Sequence, residues 1–167
     1  MNYFELFGLP IGFQVDAAKL RQAYMELQRT SHPDKFTQSS TQEQETALEK
    51  SAIANKAFTL LNNKELVLPY VLEVMGYMEA DEKYALSPNF LMEMMDLNEA
   101  WMDAEDATAK QAIIHQIEQI KTTLYAPIQT YMEMDKIDTI SQEAMLQIKS
   151  YYYKKKYLDR ILEDFHH

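Results

Sequence analysis

The 167-residue chain has no cysteine, and this absence removes several classes of function. Without cysteine the chain forms no disulfide and no thiolate metal site, so it does not hold a metal cluster through thiolates of its own. We therefore expect no metal and no other cofactor. Glycine is also scarce, at three residues, while hydrophobic residues make up 47% of the chain. This composition is typical of an ordered, helix-rich globular protein.

The chain also lacks long apolar runs and an excess of basic residues. No run has the length of a membrane span, and the N-terminus has neither a signal-peptide pattern nor the Arg-rich character of a transit peptide. We expect a bacterial cytoplasmic protein, or a mitochondrial-matrix protein only if a transit peptide has been removed. The net charge of -10 argues against a nucleic-acid partner, which requires a basic face. We expect no membrane partner either.

The negative charge is concentrated in the second half of the chain. Residues 1–77 hold 7 Lys/Arg and 9 Asp/Glu, whereas residues 78–167 hold 9 and 17. The two halves are therefore expected to meet different partners.

Hydrophobic spacing predicts helices along the chain and no strand, so we expect an all-α fold. Asp16 is a suitable N-cap for the second helix, in which a buried stripe is predicted for Leu20, Tyr24 and Leu27 with Met25 beside them. Ser40 and Thr41 provide alternative caps for the third helix. That helix is expected to pack antiparallel on the second through Leu48, Ile53, Ala57, Leu60 and Leu61.

The segment Arg29-Thr-Ser-His-Pro-Asp-Lys-Phe36 lies between these two helices. Pro33 disfavours helical geometry at His32 and removes a backbone donor, so the second helix should end here. The sequence thus predicts a stiff, exposed corner that carries an imidazole, a carboxylate and an ammonium group. Fixed polar groups on a loop between rigid helices indicate a docking or catalytic role.

Four motifs together resemble a J-domain. They are the corner itself, Tyr3-Phe4-Glu5-Leu6-Phe7-Gly8, Leu20-Arg21-x-x-Tyr24-x-x-Leu27, and Ala57-Phe58-x-Leu60-Leu61. The resemblance implies that residues 1–76 stimulate ATP hydrolysis by a DnaK-type chaperone. It also implies the residues that contact this chaperone: His32, Pro33, Asp34 and Lys35 of the corner, and the basic residues Lys19, Arg21 and Arg29.

The rest of the chain predicts a connector and a second helical domain. Pro69 should either kink the helix around it or mark its start, and Gly76 is a plausible glycine just after the end of that helix. We expect a connector at residues 77–86 and a domain at 87–167. Its three amphipathic segments, at about 88–106, 109–132 and 141–165, predict an antiparallel three-helix bundle. Pro127 should bend or end the middle segment, and Thr139 or Ser141 should cap the last.

The helix that begins at Ser87-Pro88 carries two apolar faces, although a helix in a small bundle needs only one. Phe90, Met94, Leu97, Trp101 and Ala104 form the expected core face. Met92, Met95, Asp96, Glu99 and Asp103 form a second stripe roughly opposite, with Leu91 at its edge. Either Leu91 and Met95 flank the core or pack against the first domain, or the stripe is an exposed surface for an adaptable protein partner.

The run Phe90-Leu91-Met92-Glu93-x-Met95-Asp96-Leu97-x-Glu99, downstream of a J-like segment, resembles the HscB (Jac-type) family of co-chaperones for iron–sulphur cluster assembly. The resemblance implies two partners, a specialised HscA-like chaperone and an IscU-type scaffold protein. The implied scaffold-binding residues are Leu91, Met92, Met95, Asp96, Glu99, Asp103 and, on the last helix, Tyr157. Met95, Asp96 and Tyr157 replace the leucine, glutamate and phenylalanine usual in the family, and Pro69 interrupts a segment that is normally uninterrupted helix.

Three other interpretations compete with this one. His32 with Asp34, or His115 with Glu118, would suit an acid–base pair or a metal site, but neither pair has convergent partners in the sequence, so we expect no enzyme. The run Tyr151 to Lys156 would suit a membrane or nucleic acid only if its residues shared one helix face. A generic J-domain adaptor for another client protein needs only the corner, and the acidic Phe-Leu-Met-Glu helix is what argues against it.

Overall fold

The structure is a computed structural model that describes residues 1–166, and within them it is all-helical, which confirms the predicted class. Its α-helices are α1 (Tyr3–Leu6), α2 (Ala17–Ser31), α3 (Thr41–Leu61), α4 (Lys64–Val74), α5 (Pro88–Asp103), α6 (Ala107–Tyr125), α7 (Gln129–Met132) and α8 (Gln142–Phe165). They divide into two compact units. The first comprises residues 1–75 with 133–139, and the second comprises residues 76–132 with the chain from 140 onward.

The first unit is built on α2 and α3, and both helices begin as their sequences predict. The carboxylate of Asp16 accepts hydrogen bonds from the amides of Ala18 and Lys19, and the hydroxyl of Ser40 accepts from the amide of Glu43. Each cap satisfies donors that the first helical turn leaves free. The two caps therefore fix where α2 and α3 begin.

The predicted contact residues between α2 and α3 are partly wrong. Leu48, Ile53 and Met25 are exposed, whereas α3 buries Ala47, Ser51, Ala54, Ala57 and Leu61. Small side chains on the inner face allow two helices to approach closely, and the larger apolar residues then lie outside the contact. Tyr24 fills part of the seam by stacking on Phe58 with ring centroids 4.4 Å apart.

Helix α4 continues through Pro69, so this proline does not mark the start of the helix. The helix begins at Lys64, where the side chain of Asn63 accepts a hydrogen bond from the amide of Glu65. Tyr70, the next residue, stacks on Tyr3 and its hydroxyl accepts from the Tyr3 amide at 2.8 Å. Gly76 follows the helix with φ +84, which confirms its predicted role as the residue after the C-cap.

The segment at residues 133–139 was not assigned to the first unit by sequence. It follows α7, yet it packs with residues 1–75, and Ile137 within it is buried. Before it, α6 ends at Tyr125 and a 3₁₀ turn carries Pro127, which confirms the predicted effect of that proline. The segment is too short and polar to show its position by periodicity.

The second unit contains the antiparallel three-helix bundle of α5, α6 and α8. Phe90 meets Tyr157 and Trp101 stacks on Phe165 at 4.0 Å, so α5 and α8 run parallel. The ammonium of Lys110 lies over the Trp101 ring, and Lys121 pairs with Asp159, so α6 runs antiparallel to both. The common core contains Phe90, Met94, Leu97, Ile113, Ile117, Leu158 and Ile161.

Residues 82–86 pack on the bundle. The carboxylate of Glu82 accepts hydrogen bonds from the Lys149 ammonium at 2.8 Å and the Tyr153 hydroxyl at 3.0 Å. Tyr84 stacks on Tyr153 with centroids 4.4 Å apart, and Leu86 packs against the core. Burial first, and then the hydrogen bond to Glu82, raise the pKa of Tyr153 to about 12. These contacts hold the chain in place immediately before α5.

Candidate partner-binding surfaces

The corner between α2 and α3 has a defined backbone. Helix α2 ends at Ser31, and His32 follows in an extended conformation with φ -63 and ψ 135, as expected for a residue that precedes proline. Pro33 then begins a 3₁₀ turn from Pro33 to Phe36, which packs against α3. The amide of Lys35 donates to the His32 carbonyl at 3.0 Å. The structure therefore brings His32, Pro33, Asp34 and Lys35 together on one exposed turn.

The His32 ring has its two nitrogens in different settings. Its Nδ1 accepts a hydrogen bond from the Asp34 amide at 3.2 Å and also lies 3.4 Å from an Asp34 carboxylate oxygen. The two contacts require opposite protonation of Nδ1, and the amide contact is the shorter and caps the turn. In the arrangement that caps the turn, Nδ1 is the acceptor, and Nε2 is the ring nitrogen that the turn does not use.

A polar seam behind the corner fixes α2 on α3. The amide nitrogen of the Gln28 side chain donates to the Asn55 side chain at 2.9 Å, and its oxygen accepts from the Ser51 hydroxyl at 3.0 Å. The Tyr24 hydroxyl also donates to Asn55. Ser51 is buried, and its hydroxyl reaches Gln28 when α2 and α3 pack in this register. The seam therefore fixes the register of the hairpin that presents His32.

The basic residues predicted beside the corner differ in their surroundings. Arg29 forms a two-point contact with Glu26, and the hydrogen bond from Arg29 holds the pKa of the Glu26 carboxyl below its usual range. Lys19 and Arg21 are exposed and, within residues 1–166, have no ion-pair partner. Glu26 therefore offsets one of the three predicted positive charges.

Helix α5 begins with the predicted cap, because the Ser87 hydroxyl accepts from the Phe90 amide at 3.3 Å and Pro88 occupies the first helical position. Phe90, Met94 and Leu97 are buried, and Trp101 and Ala104 pack against them, as predicted for the core face. The helix ends at Asp103, earlier than the predicted 106, and Asp106 instead caps α6 by accepting from the Ala109 amide at 2.7 Å.

The opposite side of α5 carries an exposed apolar stripe. Leu91, Met92 and Met95 are 37%, 63% and 68% exposed, so none of them is part of the bundle core. Met102, which the sequence analysis did not include, is 82% exposed. Its position seven residues after Met95 is a helical repeat that could have revealed it. We call Leu91, Met92, Met95 and Met102 the methionine stripe.

Three carboxylates accompany the methionine stripe. At about 100° per residue, Asp96 and Asp103 lie along one side of the stripe and Glu99 lies within it. All three are exposed, and within the described chain none has an ion-pair partner. The arrangement combines a flexible apolar surface with unpaired negative charge, which suits a partner that has an apolar spot next to basic side chains.

Tyr157 lies at the seam between α5 and α8. Its ring is half-buried and meets the Phe90 ring edge-on, with centroids 6.0 Å apart. Tyr157 therefore packs on the core face of α5, near the N-terminal end of that helix. The Lys154 ammonium lies 5.6 Å from the centre of the same Phe90 ring.

The described residues contain neither a metal-binding cluster nor a membrane-spanning helix. Among residues 1–166, no group of three or more His, Cys, Asp or Glu side chains is arranged to hold a metal ion. In that same part of the chain, no helix combines the length and apolar character needed to cross a bilayer.

Solved structures of similar fold show the class of protein to which this chain belongs. This all-helical chain, with an exposed His-Pro-Asp turn and a three-helix bundle, is similar in structure to two solved HscB proteins. The crystal structure of human co-chaperone protein HscB matches with a TM-score of 0.72 and 28% identity, covering 99% of this chain and 80% of the human one. The chaperone HscB from Vibrio cholerae matches with a TM-score of 0.67 and 27% identity, covering 99% and 96%.

Sequence relatives then give the family. The chain is 34% identical over 133 residues to the co-chaperone protein HscB homolog of Colwellia psychrerythraea, covering 79% of this chain and 76% of that protein. It is 30% identical over 162 residues to the homolog of Vibrio atlanticus, covering 96% and 92%. Residues 86–166 match the family model described as the HSCB C-terminal oligomerisation domain. The chain belongs to the HscB family of co-chaperones, which confirms the resemblance found in the sequence.

Proposed function

We propose that this co-chaperone binds an IscU-type iron–sulphur scaffold protein through α5 and delivers it to an HscA-like, DnaK-type chaperone. The scaffold surface comprises Leu91, Met92, Met95, Asp96, Glu99 and Asp103 of α5, together with Tyr157 of α8. The observation that carries the proposal is the exposed methionine stripe with three unpaired carboxylates next to it. An apolar patch of this kind is unusual on a monomer unless it meets a partner.

The second part of the proposal concerns the chaperone. The turn at His32, Pro33, Asp34 and Lys35, with Lys19, Arg21 and Arg29 of α2, contacts the chaperone and stimulates its ATPase. The polar seam supports this role because it holds the turn in one conformation before contact, which lowers the entropy cost of binding. The protein itself then performs no chemistry and acts as a regulator of its partner. The bacterial relatives support a cytoplasmic location.

Calorimetric titration with an IscU-type scaffold tests the first part. We expect saturable binding by the wild type and a loss of at least tenfold in affinity when Leu91, Met92 and Met95 are all changed to alanine, because the central apolar contacts of an interface carry most of its energy. Leu146→Ala is the matched control, since Leu146 is an exposed leucine on α8 of the same bundle. This control should bind as the wild type does.

Two results would contradict the proposal. If the triple variant binds like the wild type, the scaffold does not use this face of α5. If the wild type itself does not bind, the client is a different protein, and a generic J-domain adaptor becomes the better description.

A further inference from the structure

The methionine stripe has a property that its docking role does not require. Three of its four side chains are thioethers that are open to solvent. Met92, Met95 and Met102 lie on one face of α5, and each is more than half exposed. On the same helix, Met94 is completely buried in the core, and Met145 on α8 is 1% exposed. The chain therefore carries accessible and inaccessible methionines side by side.

Sulphur chemistry in this chain is confined to methionine. The chain contains 11 methionines and no cysteine, so no thiol competes for an oxidant. A peroxide transfers one oxygen atom to the thioether lone pair. The O–O bond breaks, the sulphur is oxidised by two electrons, and the peroxide is reduced to water or an alcohol. The product is methionine sulfoxide, which methionine sulfoxide reductases return to the thioether.

The consequence for the surface follows from polarity. A sulfoxide is a polar, strongly hydrogen-bonding group, so burying it against an apolar partner requires desolvation without compensation. Three such groups on one stripe would convert most of its apolar area to polar area. Leu91 would be its one remaining aliphatic member. The neighbouring carboxylates would keep their charge, so electrostatic attraction alone would remain.

We propose that Met92, Met95 and Met102 form a peroxide-sensitive modification site whose reversible oxidation releases the scaffold protein from the co-chaperone. This inference rests on the proposed scaffold-binding function of the same face. The corner on the first unit lies outside the site, so oxidation of these three residues uncouples delivery while leaving chaperone stimulation in place.

The first measurement needs no partner. The full-length chain is treated with hydrogen peroxide, quenched with catalase at intervals, and digested for mass spectrometry of each methionine. We expect sulfoxide to form at Met92, Met95 and Met102 at least about tenfold faster than at Met94 and Met145, because access of the oxidant controls the rate. Equal rates at exposed and buried positions would overturn the modification site, whatever the scaffold does.

The second measurement is scaffold affinity before and after treatment, in wild type, in Met25→Leu and in Met92→Leu/Met95→Leu/Met102→Leu. Met25 is the matched control, since it is exposed on α2, outside the stripe. Each protein is compared with its own untreated sample. We expect wild type and Met25→Leu to lose affinity about tenfold or more, and the triple leucine variant to show no change on treatment.

Treatment of oxidised wild type with a pair of methionine sulfoxide reductases should restore its affinity. Unchanged affinity of fully oxidised wild type, or an unreversed loss, would overturn the inference. Absence of binding by untreated wild type would instead contradict the proposed scaffold function. Excess scaffold should also slow sulfoxide formation at the three residues and not at Met25.

Discussion

At the scale of single residues, His32 is the side chain with the clearest division of tasks. Its Nδ1 accepts the Asp34 amide and so holds the turn, while Nε2 is not used by the turn. A glutamine in this position also carries an acceptor and a donor, but it holds them on a flexible chain rather than on opposite sides of a rigid ring. This geometry is why the proposed chaperone contact is tested first at this residue.

His32→Gln should reduce stimulation of an HscA-like ATPase at least tenfold, a change of about 1.4 kcal/mol or more. Scaffold affinity should be unchanged, because the α5 face is untouched. Steady-state phosphate release and calorimetry measure the two activities. His115→Gln is the control, since His115 is an exposed histidine on α6. Full stimulation by His32→Gln would show that the turn does not act through its imidazole.

Asp159 provides a residue-scale test of stability. Burial alone would raise the pKa of its carboxyl, but hydrogen bonds from Lys121 and Lys155 outweigh burial and hold the pKa below its usual range. A carboxyl whose pKa falls on folding stabilises the protein at pH values above the ordinary pKa of the group, here 3.8. This contribution is lost as the pH falls through the folded-state pKa.

Asp159→Asn should therefore lower the free energy of unfolding at pH 7 by about 0.5–1 kcal/mol, the scale of partly exposed ion pairs. The difference from wild type should shrink below about pH 4. Urea unfolding at pH 7 and in mild acid measures both values, with Asp164→Asn as an exposed aspartate control on α8. A difference that is constant with pH would mean that the ion pairs do not contribute.

At the scale of helices, the sequence was most informative about where elements begin. Asp16 and Ser87 cap the helices for which they were predicted, and Ser40 and Ser141 are each one of the two caps that the sequence allowed, because a cap depends only on residues a few positions away. The inner face of α3 was predicted less well. Leu48 and Ile53 are exposed because close packing on α2 selects alanine and serine, which is a property of the pair of helices rather than of either sequence.

Two features of the site were also missed by sequence alone, because they depend on the folded chain rather than on one local segment. Met102 repeats the spacing of Met95 and was available to periodicity, but its exposure required the structure. The pairing of Arg29 with Glu26 depends on side-chain conformation. By contrast, the end of α2 at the corner was predictable, because Pro33 restricts its own φ and the conformation of His32 before it, whereas the 3₁₀ turn that follows was not predicted.

Helix α4 offers a test of an element that departs from the usual pattern. Pro69 lies beyond the first turn, so the carbonyl of Glu65 has no amide from this residue to accept. Pro69→Ala should restore that bond and raise the free energy of unfolding by about 1 kcal/mol, after allowance for greater freedom of the unfolded chain.

Pro127→Ala is the matched control for this change, measured by the same chemical denaturation. Pro127 lies at the start of a 3₁₀ turn, where no amide hydrogen is needed. The control should therefore show no gain. A loss of stability in Pro69→Ala would indicate that the proline ring contributes packing that outweighs the missing hydrogen bond.

At the scale of the whole molecule, two surfaces of different character occur on one chain. The turn between α2 and α3 presents an imidazole, with exposed Lys19 and Arg21 on α2, whereas α5 presents thioethers and carboxylates. A chain that binds scaffold and chaperone together raises the effective concentration of one at the other. This advantage exists only if both surfaces belong to the same molecule.

The most direct test of that claim is an ATPase assay with limiting scaffold and chaperone, at concentrations where sedimentation shows a monomeric co-chaperone. Wild type is compared with an equimolar mixture of His32→Gln and the Leu91/Met92/Met95 triple alanine variant. Each mutant retains the surface that the other has lost. We predict that the mixture stimulates no more than the sum of its two components measured separately. A mixture that matches wild type would contradict the account, because the two surfaces would then act without being joined.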